Sequence, residues 1–204
     1  LTHVDLPRPR ALLSAYPHQL SGGMKQRVMI AMAIALEPRL LIADEPTTAL
    51  DVTVQRDILA LLRDLQAEMG MAMLFITHDL AVVADTCDDV TVMFAGEIVE
   101  RANVYQTFER PKHPYTVELL SSTSGHPLAR SYRRAVDLAV KSPELVTQGA
   151  GCAFHVRCPF GEPDCTQSPV DLSDRGGGGA VRCRKVGTVE RTVADLLVKG
   201  TARP

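Results

Sequence analysis

The sequence predicts an α/β protein: a largely parallel sheet with helices, followed by a small, irregular, cysteine-containing carboxyl-terminal extension. Three observations carry that reading. Two continuous apolar runs, LLIA at 40–43 and MAMLFIT at 71–77, have the length and composition of strands buried on both faces. Helical stretches precede, separate and follow them, and strand–helix alternation favours a parallel sheet. Beyond about Arg110, prolines 111, 114, 127 and 143 break the regularity, and four of the five cysteines fall between 152 and 183.

The elements follow in order. Residues up to about Gln19 are polar and proline-marked and read as an entry loop. From Ser21, SGGMKQRVMIAMAIALE reads as a helix: Ser21 is a good N-cap, the interior is rich in Ala and Met, and Pro38 blocks continuation. Leu40 to Ala43 is the first strand. A second helix runs from about Val52 to Glu68, with Val54, Ile58, Leu61, Leu62 and Leu65 on one face and Gly70 placed to end it. The second strand leads into a short helix from about Leu80 to Ala84. VTVMFAGEIVERA reads as a hairpin around a tight Ala95-Gly96 turn. The later text predicts short helices and loops, a flexible run from Gly176 to Gly179, and a final short helix over 189–199. No internal repeat is visible.

Composition removes several functions. At 204 residues, the chain has room for one domain and an appendage, and 46% hydrophobic with 23% charged residues excludes wholesale disorder. Only 4% of residues are aromatic and Trp is absent, which argues against a stacking surface for single-stranded nucleic acid. A net charge of -2 does not advertise a polyanionic partner. The longest apolar run, Val28 to Leu36, falls far short of the roughly 20 residues a membrane helix needs. LTHVDLPRPR lacks a signal-peptide layout, and its opening Leu leads us to expect a piece of a longer chain. Five cysteines without a secretory signal do not read as a disulfide framework.

Chemistry concentrates in four short motifs: LSGGMKQR at 20–27, LLIADEP at 40–46, TALD at 48–51 and THD at 77–79. Ser21, Gly22 and Gly23 either cap a helix or form a tip where Cβ-free backbone lets N–H groups approach a phosphate. Asp44 and Glu45 leave a strand together. A solvated turn is the bland reading. Adjacent strand residues point opposite ways, however, so one carboxylate can hold Mg²⁺ while the other orients or deprotonates water. His78 leaves the next strand, where a parallel sheet gathers its ligand-binding ends and an imidazole can contact a γ-phosphate. Asp51 can simply cap the helix that begins at Val52.

Taken together and in this order, the motifs resemble the ATP-binding-cassette ATPases, with signature, Walker B strand, catalytic glutamate, D-loop and switch histidine over about Tyr16 to Ala102. The resemblance implies a partial cassette of the P-loop type that works as a head-to-tail dimer. Ser21, Gly22, Gly23 and Gln26 would meet ATP held by the partner subunit, with Asp51 in the D-loop. Asp44 would bind Mg²⁺, Glu45 would act as base and His78 would hold the γ-phosphate. These 204 residues contain no Gly-Lys dipeptide and therefore no G-x-x-x-x-G-K-[ST] loop. This chain alone is expected not to hydrolyse ATP at a useful rate.

ERPKHPYTVELLSSTS, at 109–124, resembles the segment after the cassette in oligopeptide and dipeptide permease ATP-binding subunits, a group that includes nickel importers. The resemblance implies transmembrane permease subunits as partners, a solute-binding protein acting indirectly, no nucleic acid, and a peripheral place on the cytoplasmic face of the membrane. The transported solute stays open, as does a homo- or heterodimer. The expected organisation is a cassette portion over 1–102, a linker with the HPY segment over 103–148, and a cysteine-rich extension over 149–204.

Cys152, Cys158, Cys165 and Cys183 are separated by gaps of five, six and seventeen residues. They are either four reduced thiols or a metal centre. Absence of tight C-x-x-C pairs speaks for a [4Fe–4S] cluster over Zn²⁺, and the resemblance points the same way. Such a centre would staple a segment with little core of its own. Cys87 reads as a core thiol. Two other classes compete: a DNA-repair type ATPase, against which HPYT argues, and a non-catalytic metal-binding or regulatory module.

Overall fold

The computed structural model describes residues 2–123, 125–129, 150–174 and 178–201. Pro143, most of the 103–148 linker's second half and Gly176–Gly177 of the glycine run lie outside them. The chain forms two compact units, Leu1–Asp79 and Leu80–Pro204.

The first unit begins with 3-10 turns at Thr2–Val4 and Pro17–Gln19 that flank a short helix, α1 (Pro9–Leu12). Helix α2 (Gly22–Ile34) starts where expected, because the Ser21 hydroxyl accepts the Met24 N–H at 3.3 Å. Strand β1 (Leu40–Asp44) pairs in parallel with β2 (Ala72–Ile76), with Leu40 opposite Ala72 and Asp44 opposite Ile76. Between them runs α3 (Val52–Met69), closed by Gly70 in the left-handed region at φ 61°. Its predicted stripe does the packing: Ile58, Leu61, Leu62 and Leu65 are buried with Ile30 and Ile34 of α2, Leu41 of β1, Met71, Val4 and Leu6. That crossover is the βαβ arrangement the alternation predicts.

One expectation fails. The strands are not buried on both faces: β1 alternates, with Leu41 and Ala43 inside, while Leu40 and Ile42 are 52% and 59% exposed. Leu74 and Ile76 of β2 are exposed likewise. Helices α2 and α3 cover one face of this two-stranded sheet, and the apolar residues on its other face have no cover among the described residues.

The second unit opens with α4 (Leu80–Thr86) and the predicted hairpin, β3 (Asp89–Phe94) and β4 (Glu97–Asn103). Ala95 and Gly96 both sit at positive φ, 50° and 83°, the signature of a type I′ turn. Two short helices follow, α5 (Val104–Glu109) and α6 (Pro114–Ser122), then α7 (Asp164–Gln167) and α8 (Val186–Thr201). The last is longer than the sequence pattern predicts. Two-residue strands β5 (Ser173–Asp174) and β6 (Ala180–Val181) extend the hairpin into an antiparallel sheet of order β3-β4-β6-β5. The cysteine-bearing stretch therefore has a core, which it borrows from the hairpin side: Phe154, Val170 and Val181 are buried, and Phe154 packs edge-on to Phe94 at 5.2 Å. The sequence missed this because two-residue strands carry no periodicity to read. No helix among the described residues is long and apolar enough to cross a membrane.

Candidate functional site

The parallel register sets the carboxyl ends of β1 and β2 side by side. Asp44 and Glu45 leave the first strand where Thr77, His78 and Asp79 leave the second. The Glu45 N–H donates to the Ile76 carbonyl at 2.9 Å, which carries the ladder one residue past the strand. Glu45 then turns at φ 47°, a left-handed conformation that costs a non-glycine residue free energy and is held by its surroundings. Its Oε1 lies 2.7 Å from His78 Nδ1, and its Oε2 accepts the Thr48 hydroxyl at 2.7 Å. The His78 hydrogen bond, then that of Thr48, holds the Glu45 carboxyl below its usual range, and Glu45 raises the His78 imidazole. The pair is open to water: the His78 side chain is 80% exposed. Asp44, next in the chain, is exposed at the strand end.

The other predicted residues gather nearby in the same unit. Asp51 is the N-cap of α3, its Oδ1 accepting the Thr53 and Val54 N–H groups at 3.1 and 3.0 Å. Gly22 and Gly23 lie against the start of that helix. A Cβ on Gly22 would stand 3.3 Å from Leu50, and one on Gly23 only 2.7 Å from Val54. Packing therefore demands Gly23 whatever else it does, and the Ser21–Gly23 tip and the 45–51 loop share one end of the unit. Gln26 is half-buried on α2.

Two partners, Thr48 and Gln55, carried no role in the sequence reading. Thr48 buttresses Glu45, and its i+3 spacing is the one signal that marks it. Gln55 donates to Asp79 Oδ2 at 3.3 Å, and the Asp79 N–H donates to the Thr77 hydroxyl at 3.0 Å. Nothing in the sequence tells Gln55 from other polar residues on the helix.

A second constellation lies in the other unit. Cys152, Cys158, Cys165 and Cys183 line one small cavity of about 10 Å³, with His113 and Phe154 also in its wall. All four are free thiols. Among the described residues, no group of three or more His, Cys, Asp or Glu side chains stands close enough to hold a metal ion as placed. A single Zn²⁺, with Zn–S bonds of about 2.3 Å, would need the sulfurs drawn together. Burial pushes the Cys158 thiol up to about 12 and Cys183 to about 11, and the neighbouring cysteines add to it. Cys87, outside this cavity, packs against the hairpin cluster as expected of a core thiol. Beside the cavity, the Lys112 and His113 N–H groups donate to the two carboxylate oxygens of buried Glu100 at 2.8 and 2.9 Å. Burial raises the Glu100 carboxyl and lowers His113 to about 4. Glu100 was not singled out in the sequence, since a charged residue within a strand reads as solvent-facing, and His113 was read only as part of the HPY segment, with no role of its own.

Family comparison fits this layout. The ABC transporter family model matches residues 1–48, and that of the oligopeptide/dipeptide transporter C-terminal region matches 99–165. A probable peptide ABC transporter ATP-binding protein of Sinorhizobium fredii is 49% identical over 88% of this chain and 53% of its own length. The dipeptide transport ATP-binding protein DppD of Escherichia coli is 45% identical over 90% and 55%, and the oligopeptide transport ATP-binding protein OppD of the same organism 46% over 83% and 50%. A solved ATP-binding cassette dimer with ADP and Pi aligns over 50% of this chain and 43% of that one, at 34% identity and a TM-score of 0.44. The chain spans about half the length of the curated relatives it matches. With the signature tip, the strand-end carboxylates and the HPY segment each in place, the chain belongs to the ABC transporter ATP-binding proteins, in their oligopeptide/dipeptide branch.

Proposed function

We propose that this chain is the carboxyl-side part of an ATP-hydrolysing subunit that energises an importer of peptides or related solutes. The observation that carries the reading is the Glu45–His78 contact of 2.7 Å at the ends of two parallel strands. Glu45, ionised and steadied by Thr48 and His78, accepts a proton from water as the water oxygen bonds to the γ-phosphorus and the β–γ bridging oxygen departs with ADP. His78, held towards its cationic form, faces the γ-phosphate. Asp44, an exposed carboxylate on the same strand end, would hold Mg²⁺ through water, and the ion would supply charge neutralisation to the triphosphate. Ser21, Gly22, Gly23 and Gln26 face the triphosphate held by a second cassette subunit, and Asp51 lines that contact while capping α3. Transmembrane permease subunits hold the dimer at the cytoplasmic face of the membrane, and a solute-binding protein delivers the cargo. The expected boundaries near 102 and 148 mark the cassette's end and the start of the cysteine-bearing extension.

The extension is read as a thiolate-ligated centre, a [4Fe–4S] cluster ahead of Zn²⁺. Four soft donors turned to one cavity support this, and a cluster's larger core tolerates wider sulfur spacing than one ion. Anaerobic purification tests it: a broad band near about 400 nm with iron and sulfide supports the cluster, and colourless, metal-free protein removes it.

The ATPase reading is tested in the subunit extended to its relatives' length and assembled with its partners. Glu45→Gln is expected to keep nucleotide binding while hydrolysis falls by about 10²–10⁴-fold. Undiminished turnover takes Glu45 out of the base role. The 204-residue chain alone is expected to hydrolyse no ATP.

A further inference from the structure

In the wall of the cysteine cavity, His113 carries a buried side-chain nitrogen that has no hydrogen-bond partner among the described residues. Its side chain is 1% exposed. Its Nδ1 accepts the Tyr115 N–H at 3.1 Å, an arrangement fixed by the helical start at Pro114. A neutral imidazole with Nδ1 accepting must carry its proton on Nε2. That Nε2 is buried and has no hydrogen-bond partner among the described residues. An orphaned buried N–H costs about 1–3 kcal/mol, so such a donor calls for an acceptor. The cavity offers the sulfurs of Cys152, Cys158, Cys165 and Cys183.

We infer that His113 donates from Nε2–H to a sulfur of the cysteine centre, making the HPY turn a positioning element for that centre and not a ligand to it. Ligation through Nε2 would require the ring proton to move to Nδ1, where the Tyr115 N–H already points. The surroundings fit donation. The Lys185 N–H already donates to Cys183 Sγ at 3.3 Å, so N–H to sulfur bonds are the local idiom. Glu100 fixes the turn by accepting the Lys112 and His113 N–H groups, and the Phe154 ring stands 5.8 Å from the imidazole, which limits its rotation. A donor to a ligating sulfur withdraws charge, stabilises the reduced cluster and slows metal loss.

The inference rests on the thiolate-centre reading, and the test separates the two. The chain is reconstituted anaerobically with iron and sulfide, and in parallel with zinc. If wild type takes up neither, the centre itself is refuted and the inference falls with it. In loaded wild type, His113→Phe is expected to speed metal loss to a chelator about tenfold or more and to lower the cluster's midpoint potential, while His113→Gln, which keeps a donor, stays close to wild type. Loss rates and potential unchanged in His113→Phe, or Gln failing as badly as Phe, would overturn the donor role. Should His113→Phe not fold, ¹⁵N-histidine spectra of the zinc-loaded wild type decide. A protonated Nε2 upholds donation; an Nε2 without its proton establishes ligation and overturns it.

Discussion

Two of this molecule's glutamate–histidine neighbourhoods, Glu45 with His78 and Glu100 with His113, shift in opposite directions. In the amino-terminal unit, Glu45 and His78 touch each other in the open; the carboxyl is held low and the imidazole high. In the other unit, Glu100 and His113 are buried, and the imidazole does not bond the carboxylate. There the carboxyl is pushed up and the imidazole down to about 4. The same residue types are charged in one place by a partner and driven towards neutrality in the other by desolvation. An exposed ionised pair suits a polyanionic ligand that arrives and leaves. A buried neutral imidazole among thiols suits a centre that stays.

The sharpest way to break this contrast is to open the buried side. Phe154 is 1% exposed and meets Phe94, Tyr115 and His113. Phe154→Ala is expected to destabilise the Leu80–Pro204 unit by about 3–5 kcal/mol, measured by urea unfolding. His113 should then titrate nearer its ordinary range. A variant that keeps full stability would show that the cysteine-bearing segment does not lean on this ring.

The open side depends on close packing at one point. Gly23→Ala places a Cβ 2.7 Å from Val54 Cγ1, where two helices meet. An overpacking cost of about 1–3 kcal/mol is expected, and Val54→Ala in the same chain should recover most of it. Recovery of stability without recovery of ATPase activity in the extended subunit would separate the glycine's packing duty from its duty at nucleotide.

These cases show what the sequence can carry. Helix α3 was legible because its apolar stripe, its Asp51 cap and its Gly70 stop all agree. The β3–β4 hairpin was legible from its Ala95-Gly96 turn. The Glu45–His78 site could be named from motif order, although their contact depends on parallel register, which no local pattern fixes. The open face of β1 and β2 was misread because a run of apolar residues looks alike whether its second cover belongs to the segment in hand or to something beyond it. The burial of Glu100 and of the HPY histidine, His113, was invisible for a different reason. Glu100 pairs with Val181 of β6, seven prolines and several turns further along a text without periodicity.

The smallest effect is the most direct reading of the open pair. His78 titration, followed by NMR, is expected to give a pKa above the ordinary imidazole value of about 6.5, because Glu45 favours the imidazolium. Its stabilising share is fully present below that ordinary value and disappears as pH rises through the raised one. The share from Glu45, whose pKa is lowered, is present above the ordinary carboxyl value and disappears as pH falls through the lowered one. The pair is therefore at full strength between the ordinary carboxyl value and the ordinary imidazole value, and it weakens as pH passes through the lowered limit on one side and the raised limit on the other. Glu45→Gln should bring His78 down towards its ordinary value, with the Asp79 charge still acting on it, and with no measurable change in Tm, since both groups face water and exposed pairs add little to stability. Thr48→Ala should raise the Glu45 pKa partway and leave His78 high. If His78 instead titrates at or below about 6.5 in the unaltered chain, the contact is not an ion pair in solution, and the contrast between the open and the buried neighbourhood loses its first half.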